Sequence, residues 1–352
     1  MKSLKHLLLC LMRKYLLFLT LLPSLLLAQT GGVATYQILQ FPVSSRMAVL
    51  NNPIAILGSD LNPGIYNPAL LNPKMKNALA LNFVDYFSDI NMVSAAYAFP
   101  FKELGTVGVS IQSLSLGKFT YTNEQAEELG FFRANEQLLT AGFGKQIHEK
   151  WSVGAAVKIL FSDLESYQSI GVATDLGVTY FNKENQFAAS ILAQNIGRQI
   201  TSYNSVNEEL PYEMKLGFSK KLEHLPFLFS IGYNHLETWD LTYHYNPTVT
   251  TDPITGEEIL NTESFGQKLF RHFTASGELS IGKHLQLLMG YDAQRRHELT
   301  VNSFLGLVGF SWGIGIKISH FHINYGRATY HLAGAPNYFS VSTNLSKFYN
   351  CQ

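Results

Sequence analysis

Trp151-Ser152-Val153-Gly154-Ala155-Ala156-Val157-Lys158-Ile159-Leu160-Phe161-Ser162 decides the fold. Its odd positions, Trp151, Val153, Ala155, Val157, Ile159 and Phe161, are apolar and mostly large. Its even positions, Ser152, Gly154, Ala156, Lys158, Leu160 and Ser162, are mainly small or polar. A period of two places these sets on opposite faces of one β-strand. The next stretch repeats the pattern, with Val172, Thr174, Leu176, Val178 and Tyr180 against Gly171, Ala173, Asp175, Gly177 and Thr179. So do Val107, Val109 and Ile111 against Gly108, Ser110 and Gln112, and Met214, Leu216 and Phe218 against Lys215, Gly217 and Ser219.

The phase of alternation locates a turn. From Trp312 to Ile318 the apolar positions are even; from Phe321 to Tyr325 they are odd. A two-residue hairpin loop at Ser319-His320 sets Ile318 opposite Phe321 on one face, which this change of phase requires. Ser-His is not the favoured Asn-Gly pair, so a loop one residue longer is the alternative.

The same reading gives 14 strands, near 77–88, 91–100, 105–121, 136–146, 150–163, 168–182, 186–197, 211–222, 226–242, 266–282, 285–295, 304–318, 321–331 and 335–346. Short connections at 100–103, 146–149, 182–185, 223–225 and 282–284 contrast with longer ones at 122–135, 198–210 and 243–265. The expected fold is all-β, a 14-stranded antiparallel outer-membrane barrel with short periplasmic turns and longer external loops. The longest loop, with Pro247, Pro253, Gly256, Glu257 and Glu258, reads as solvated.

Composition agrees. Of 352 residues 46% are hydrophobic and 13% aromatic, and only 15% are charged, against about 25% in an ordinary soluble domain. Beyond the first residues no apolar run reaches the roughly 20 residues of a membrane-spanning helix. Apolar content without apolar runs is the product of alternating strands. Lys2, Lys5, Arg13 and Lys14 precede an apolar run from Tyr15 to Leu27, and Ala28-Gln29 is a tolerable cleavage site, so 1–28 is expected to be a signal peptide. A retained anchor is the alternative; Leu9 beside Cys10 is too bulky for a lipoprotein box. Cleavage leaves 22 Lys+Arg against 26 Asp+Glu, a net charge of −4, which does not suggest a polyanion-binding protein. It leaves Cys351 as the one cysteine, so no intramolecular disulfide is expected.

Residues 29–76 break the two-residue rhythm. Ser44-Ser45 can cap a short helix over Arg46 to Leu50, and Asn67-Pro68 places a capping Asn before a first-turn Pro. Pro42, Pro53, Pro63, Pro68 and Pro73 forbid one long element. A plug folded into the barrel is the expectation for 29–76, with 77–352 as the barrel; a periplasmic arm is the alternative.

Catalytic patterns fare poorly. Gly309-Phe310-Ser311-Trp312-Gly313 matches G-x-S-x-G, but the surroundings alternate as a strand and no acid follows Glu298, so the order Ser, acid, His cannot be met. His320 and His322 share a strand face without a third ligand close in sequence; His331 follows on the same side of the chain. Gly142-Phe143-Gly144-Lys145 lacks the spacing of a phosphate-binding loop. Asp163, Glu165 and Asp175 specify no reaction. No enzyme, cofactor or metal is expected.

Several ordered stretches carry a resemblance. They are Phe41-Pro42-Val43-Ser44-Ser45-Arg46, Tyr66-Asn67-Pro68-Ala69-Leu70-Leu71, Gly105-Thr106-Val107-Gly108-Val109 with Gly117-Lys118-Phe119, Asn195-Ile196-Gly197, Leu216 to His224, and Tyr330 to Asn337. In these the chain resembles the PorV/PorQ family of type IX secretion outer-membrane proteins, relatives of the FadL-type barrels. The likeness spans nearly all of the chain past residue 28. It departs at Asn51-Asn52, where the family tends to have a small glycine pair. The resemblance implies a non-catalytic role in the cell-surface attachment complex, in contact with membrane lipid, a PorZ-like anchored protein, a PorU-like sortase and a PorV-like shuttle. The runner-up is a FadL-like channel for a hydrophobic small molecule, with Ile54, Ile56 and Leu57 near the ligand. A hydrolase using Ser311 and a soluble β-sandwich adhesin are the remaining readings. The chain ends Phe348-Tyr349-Asn350-Cys351-Gln352, without the terminal aromatic residue common in barrels.

Overall fold

Fourteen strands close on themselves in the computed structural model, which describes residues 34–56, 58–241, 249–251, 258–260, 264–299, 306–330 and 334–349. The expected signal peptide with Ala28 and Gln29, and also Leu57, His331 and Cys351, lie outside the described residues. The wall runs β1 (Ala78–Asp85), β2 (Asn91–Phe101), β3 (Gly105–Thr122), β4 (Glu128–His148), β5 (Trp151–Leu164), β6 (Tyr167–Asn182), β7 (Phe187–Thr201), β8 (Glu213–Lys221) and β9 (Phe227–Tyr233). A separate two-stranded hairpin, β10 (Val249–Thr251) and β11 (Glu258–Leu260), follows in the sequence. The wall resumes with β12 (Phe273–Ile281), β13 (Leu285–Asp292), β14 (Phe310–Ile318), β15 (Phe321–Ala328) and β16 (Asn337–Asn344). Consecutive wall strands pair antiparallel, and β1 pairs with β16 to close the seam.

Alternation sorts lipid from lumen. Val157, Ile159 and Phe161 are exposed on the outside of β5, whereas Ser152, Ala156, Lys158, Leu160 and Ser162 are buried inside. The apolar face is thus the outer one, the reverse of a soluble sandwich. Ile111, Leu139, Ile191, Met289, Trp312, Ile323 and Phe339 continue the apolar belt around the wall. With backbone groups paired between strands and no open edge, such a cylinder meets the requirement of hydrocarbon. The chain is an outer-membrane β-barrel.

Ile318 pairs with Phe321 across a two-residue turn, with Ser319 at φ 54°, so the shorter loop at Ser319-His320 is the observed one. Several strand ends differ from expectation. The strand foreseen to 242 stops at Tyr233, because His235 turns the backbone at φ 56°. The one foreseen from 266 begins as a helix, α3 (Phe265–Arg271), since Ser264 and Gln267 form a capping box. The one foreseen to 295 stops at Asp292, whose side chain caps α4 (Ala293–Glu298). Conversely β4 starts at Glu128 and shortens the expected 122–135 loop to 123–127.

Strand lengths make the wall uneven. β3 has 18 residues and β4 21, against 7 in β9 and 8 in β15; roughly 9–11 suffice to cross a bilayer. β2 pairs with β3 only as far as Ser115, and β5 with β4 only as far as Ala134. Residues 118–133 therefore stand above their neighbours as a two-stranded ribbon, offset by a bulge at Gly117, φ 97°.

Residues 34–56 and 58–76 lie inside the cylinder. α1 (Ser45–Val49) packs on β14–β16, α2 (Leu61–Tyr66) on β1–β4, and a 3-10 turn at Pro68–Leu70 on β4–β6. The Ser44 hydroxyl accepts from the Met47 amide and is the helix cap; Ser45 is instead the first helical residue, and its amide donates to Ser340 Oγ at 2.9 Å. The Asn67 side chain accepts from the Ala69 amide with Pro68 at the first position of the turn. Asn51 and Asn52 both adopt left-handed φ, 56° and 52°. After glycine, Asn tolerates this region best, so the pair can hold a backbone that glycine would also adopt.

Candidate functional site

The segment enters at the outer end, where the Thr35 amide bonds to Glu209 O in the β7–β8 loop. It descends across the lumen and leaves at the inner end as β1. Its upper surface and the wall together form an apolar layer: Tyr36 and Ile38 pack with Met92, Leu114, Leu138 and Leu160. Leu39, Phe41, Val43, Ile90, Leu116 and Tyr330 are only partly covered and pack against this layer. Phe41 and Tyr86 meet at a tilt, with ring centroids 4.8 Å apart. Beneath, a gap of about 30 Å³ between Val43, Tyr66, Leu138 and Lys158 has room for one water.

The inner end is different. Two connected lobes of about 390 and 830 Å³ share Arg46, Gly58, Lys74, Glu278 and Gln286 and open between the short turns. The smaller lobe is lined mainly by polar groups and the larger mainly by apolar ones, among them Leu71, Phe181 and Leu228, and both carry lysines. Arg46 forms the ceiling: Nη2 meets Glu278 Oε2 at 2.7 Å and Nη1 meets Asp60 Oδ2 at 3.1 Å. These groups are 7–19% exposed, and buried charges are retained only when paired.

Other polar bonds hold the plug to the wall. Tyr36 OH and Ser169 Oγ lie 2.6 Å apart, the Ile38 amide donates to Glu136 at 2.8 Å, and Lys215 Nζ donates to Tyr66 OH at 2.6 Å. Ser311 Oγ donates to Val49 O at 2.7 Å. The hydroxyl singled out by the G-x-S-x-G pattern thus lies on strand β14 as a plug contact. Gly142 and Gly144 face Leu71 and Pro68 of the plug. Asp175, set apart from Asp163 and Glu165, forms a buried 2.6 Å ion pair with Lys158, and Asn195 bonds to both.

Close approach of plug and wall depends on glycine. A Cβ at Gly154 would lie 2.2 Å from the Pro68 carbonyl carbon and 2.3 Å from Ala69 N. Ile54 packs over Gly217, and Ile56 packs with Val49, Leu50, Leu228 and Leu288. Both are plug-to-wall packing, and neither lines the gap beneath the apolar layer or the inner lobes. His320 and His322 line the smaller inner lobe. The sequence reading missed the Arg46 clamp. The signal available was Glu278 on an inward strand face, where an acid must find a cation.

Comparison with known proteins places the architecture. No family model matches the chain, and no curated protein matches it. Among solved structures, the toluene transporter TodX of Pseudomonas putida aligns at TM-score 0.50 and 12% identity, covering 84% of this chain and 98% of that one. The fold is FadL-like. A Pseudomonas aeruginosa FadL homologue aligns at TM-score 0.50 and 10% identity, covering 86% and 98%. A TodX variant described as a monoaromatic hydrocarbon channel gives 0.50 and 13%, covering 86% and 98%.

Proposed function

We propose that this barrel is a channel that admits a small hydrophobic molecule through the outer membrane. The observation that carries the reading is the change of character across the plug. A partly covered aromatic and aliphatic layer lies on its outer side, an open vestibule that carries lysines lies on its inner side, and a plug held by discrete polar bonds lies between. An apolar solute gains by leaving water for that layer, at roughly 25 cal/mol per Å² buried. It can pass on only if the plug shifts, because the gap beneath that layer holds no more than a water. The Arg46 clamp is then the latch. FadL-like neighbours described as hydrocarbon channels support the same direction. The type IX secretion role, with its PorZ-, PorU- and PorV-like partners, draws no support from the comparisons.

The test is toluene entry into proteoliposomes or intact cells. Bridging Ser45→Cys to Ser340→Cys in a Cys351→Ser background should abolish entry reversibly, with reduction restoring it. Arg46→Ala should raise entry, because it leaves Glu278 and Asp60 without their cation, at a cost of about 3–5 kcal/mol for a buried pair. Toluene entry equal to that of protein-free membranes, in every variant, would sink the reading.

A further inference from the structure

The inner vestibule carries more positive charge than its own acids can balance. Lys74, Lys317 and Lys347 line one lobe; Lys74, Lys183 and Lys221 line the other. The acids in the lining are Asp60 and Glu278, and both are committed to Arg46. None of the five lysines has an ion pair among the described residues. The nearby turn acids Glu103, Glu149, Glu184 and Glu223 line neither lobe.

We propose that this vestibule is a docking site for an acidic polypeptide segment of a periplasmic partner. Several facts select that occupant. The lysines come from separate places around the mouth: the plug, the β6–β7 turn, the end of β8, strand β14 and the C-terminal helix α5 (Ser346–Tyr349). One small anion cannot meet them together, whereas a chain bearing several carboxylates can. The five are flexible point charges without an arginine fork free among them, which suits dispersed carboxylates better than one planar bidentate group. Phospholipid head groups lie outside the wall and cannot reach an inward cavity. The lobes, about 390 and 830 Å³, are large enough for a short segment. Asn324 and Ser342 offer hydrogen bonds to its backbone. The inference is independent of what the channel admits.

The experiment titrates the detergent-purified full chain with a fluorescent glutamate-rich decapeptide, read by anisotropy. Two triple variants remove equal charge: Lys74→Gln, Lys317→Gln, Lys347→Gln inside the vestibule, and Lys102→Gln, Lys150→Gln, Lys283→Gln on turns outside its lining. The inside triple should weaken binding tenfold or more and the outside triple less than threefold, with affinity falling as salt rises. Equal losses in both triples would overturn the proposal, as would free glutamate competing as well as the peptide at equal carboxylate concentration. Vesicles containing phosphatidylglycerol that displace the peptide fully would reassign the lysines to lipid and overturn it also. Heat-modifiable mobility checks that each triple keeps its barrel, and the single variant Lys317→Gln, expected to lose about threefold, reports where a triple does not.

Discussion

At the scale of single residues, the polar groups inside this barrel are paired across long sequence separations. Arg46 and Glu278 are 232 positions apart, so no local pattern could have joined them. Ser44 and Asn67, by contrast, cap turns within three residues of themselves, and their roles are legible in the sequence. Just past the end of β9, His235 lies 3.0 Å from Glu237 and 3.6 Å from Glu213, with Lys215 beyond. Burial disfavours its charged form, but the two carboxylates outweigh burial and the lysine and raise its pKa above the ordinary value. Because the folded value is the higher one, this tether is at full strength below about pH 6.5 and is lost as pH rises through the raised value. A pair of this kind is worth up to about 1 kcal/mol. Hydrogen exchange at 234–241 is therefore expected to quicken about fivefold more between pH 5.5 and 8.5 than in His235→Gln. An identical pH response in both proteins would remove His235 as the tether.

Among elements, the strands announce themselves wherever one face meets lipid, because there the apolar side must be continuous. That is why β5 and β6 are readable to within a residue or two. The outer ends are not, because above the bilayer both faces meet water and the alternation loses its cause. There capping chemistry decides, and Phe265–Arg271 becomes a helix on the strength of Ser264 and Gln267. The plug is a third case. Its place in the lumen follows from glycines on the inner faces of β4–β6, which reads as low side-chain volume and not as a binding surface. Gly154→Leu should make this plain. Its side chain would occupy the space of Pro68 and Ala69, displacing that turn at a cost of at least several kcal/mol, while β5 keeps its pairing. The expected result is protease cleavage between 58 and 76 in an otherwise intact barrel. Protection equal to the unmodified protein would show that the turn has another resting place.

For the molecule as a whole, composition pointed the right way because a barrel turns its apolar surface outward. The function is less legible, since chemistry here rests on a shape made by segments distant in sequence. A closed wall with an exposed apolar belt should be inseparable from amphiphile. The protein is expected to partition into detergent, to run faster on a gel before boiling than after, and to aggregate when detergent is withdrawn. A monodisperse monomer in plain buffer would contradict the lipid-facing belt.

The path of residues 34–77 has a mechanical consequence. A strap fastened to an outer loop at Thr35 and continuous with the wall at Ala78 is held at both ends, like thread through the eye of a needle. Swinging out on a hinge must first break the bond from Thr35 to Glu209, whereas slack taken up within the strap opens a path with both fastenings intact.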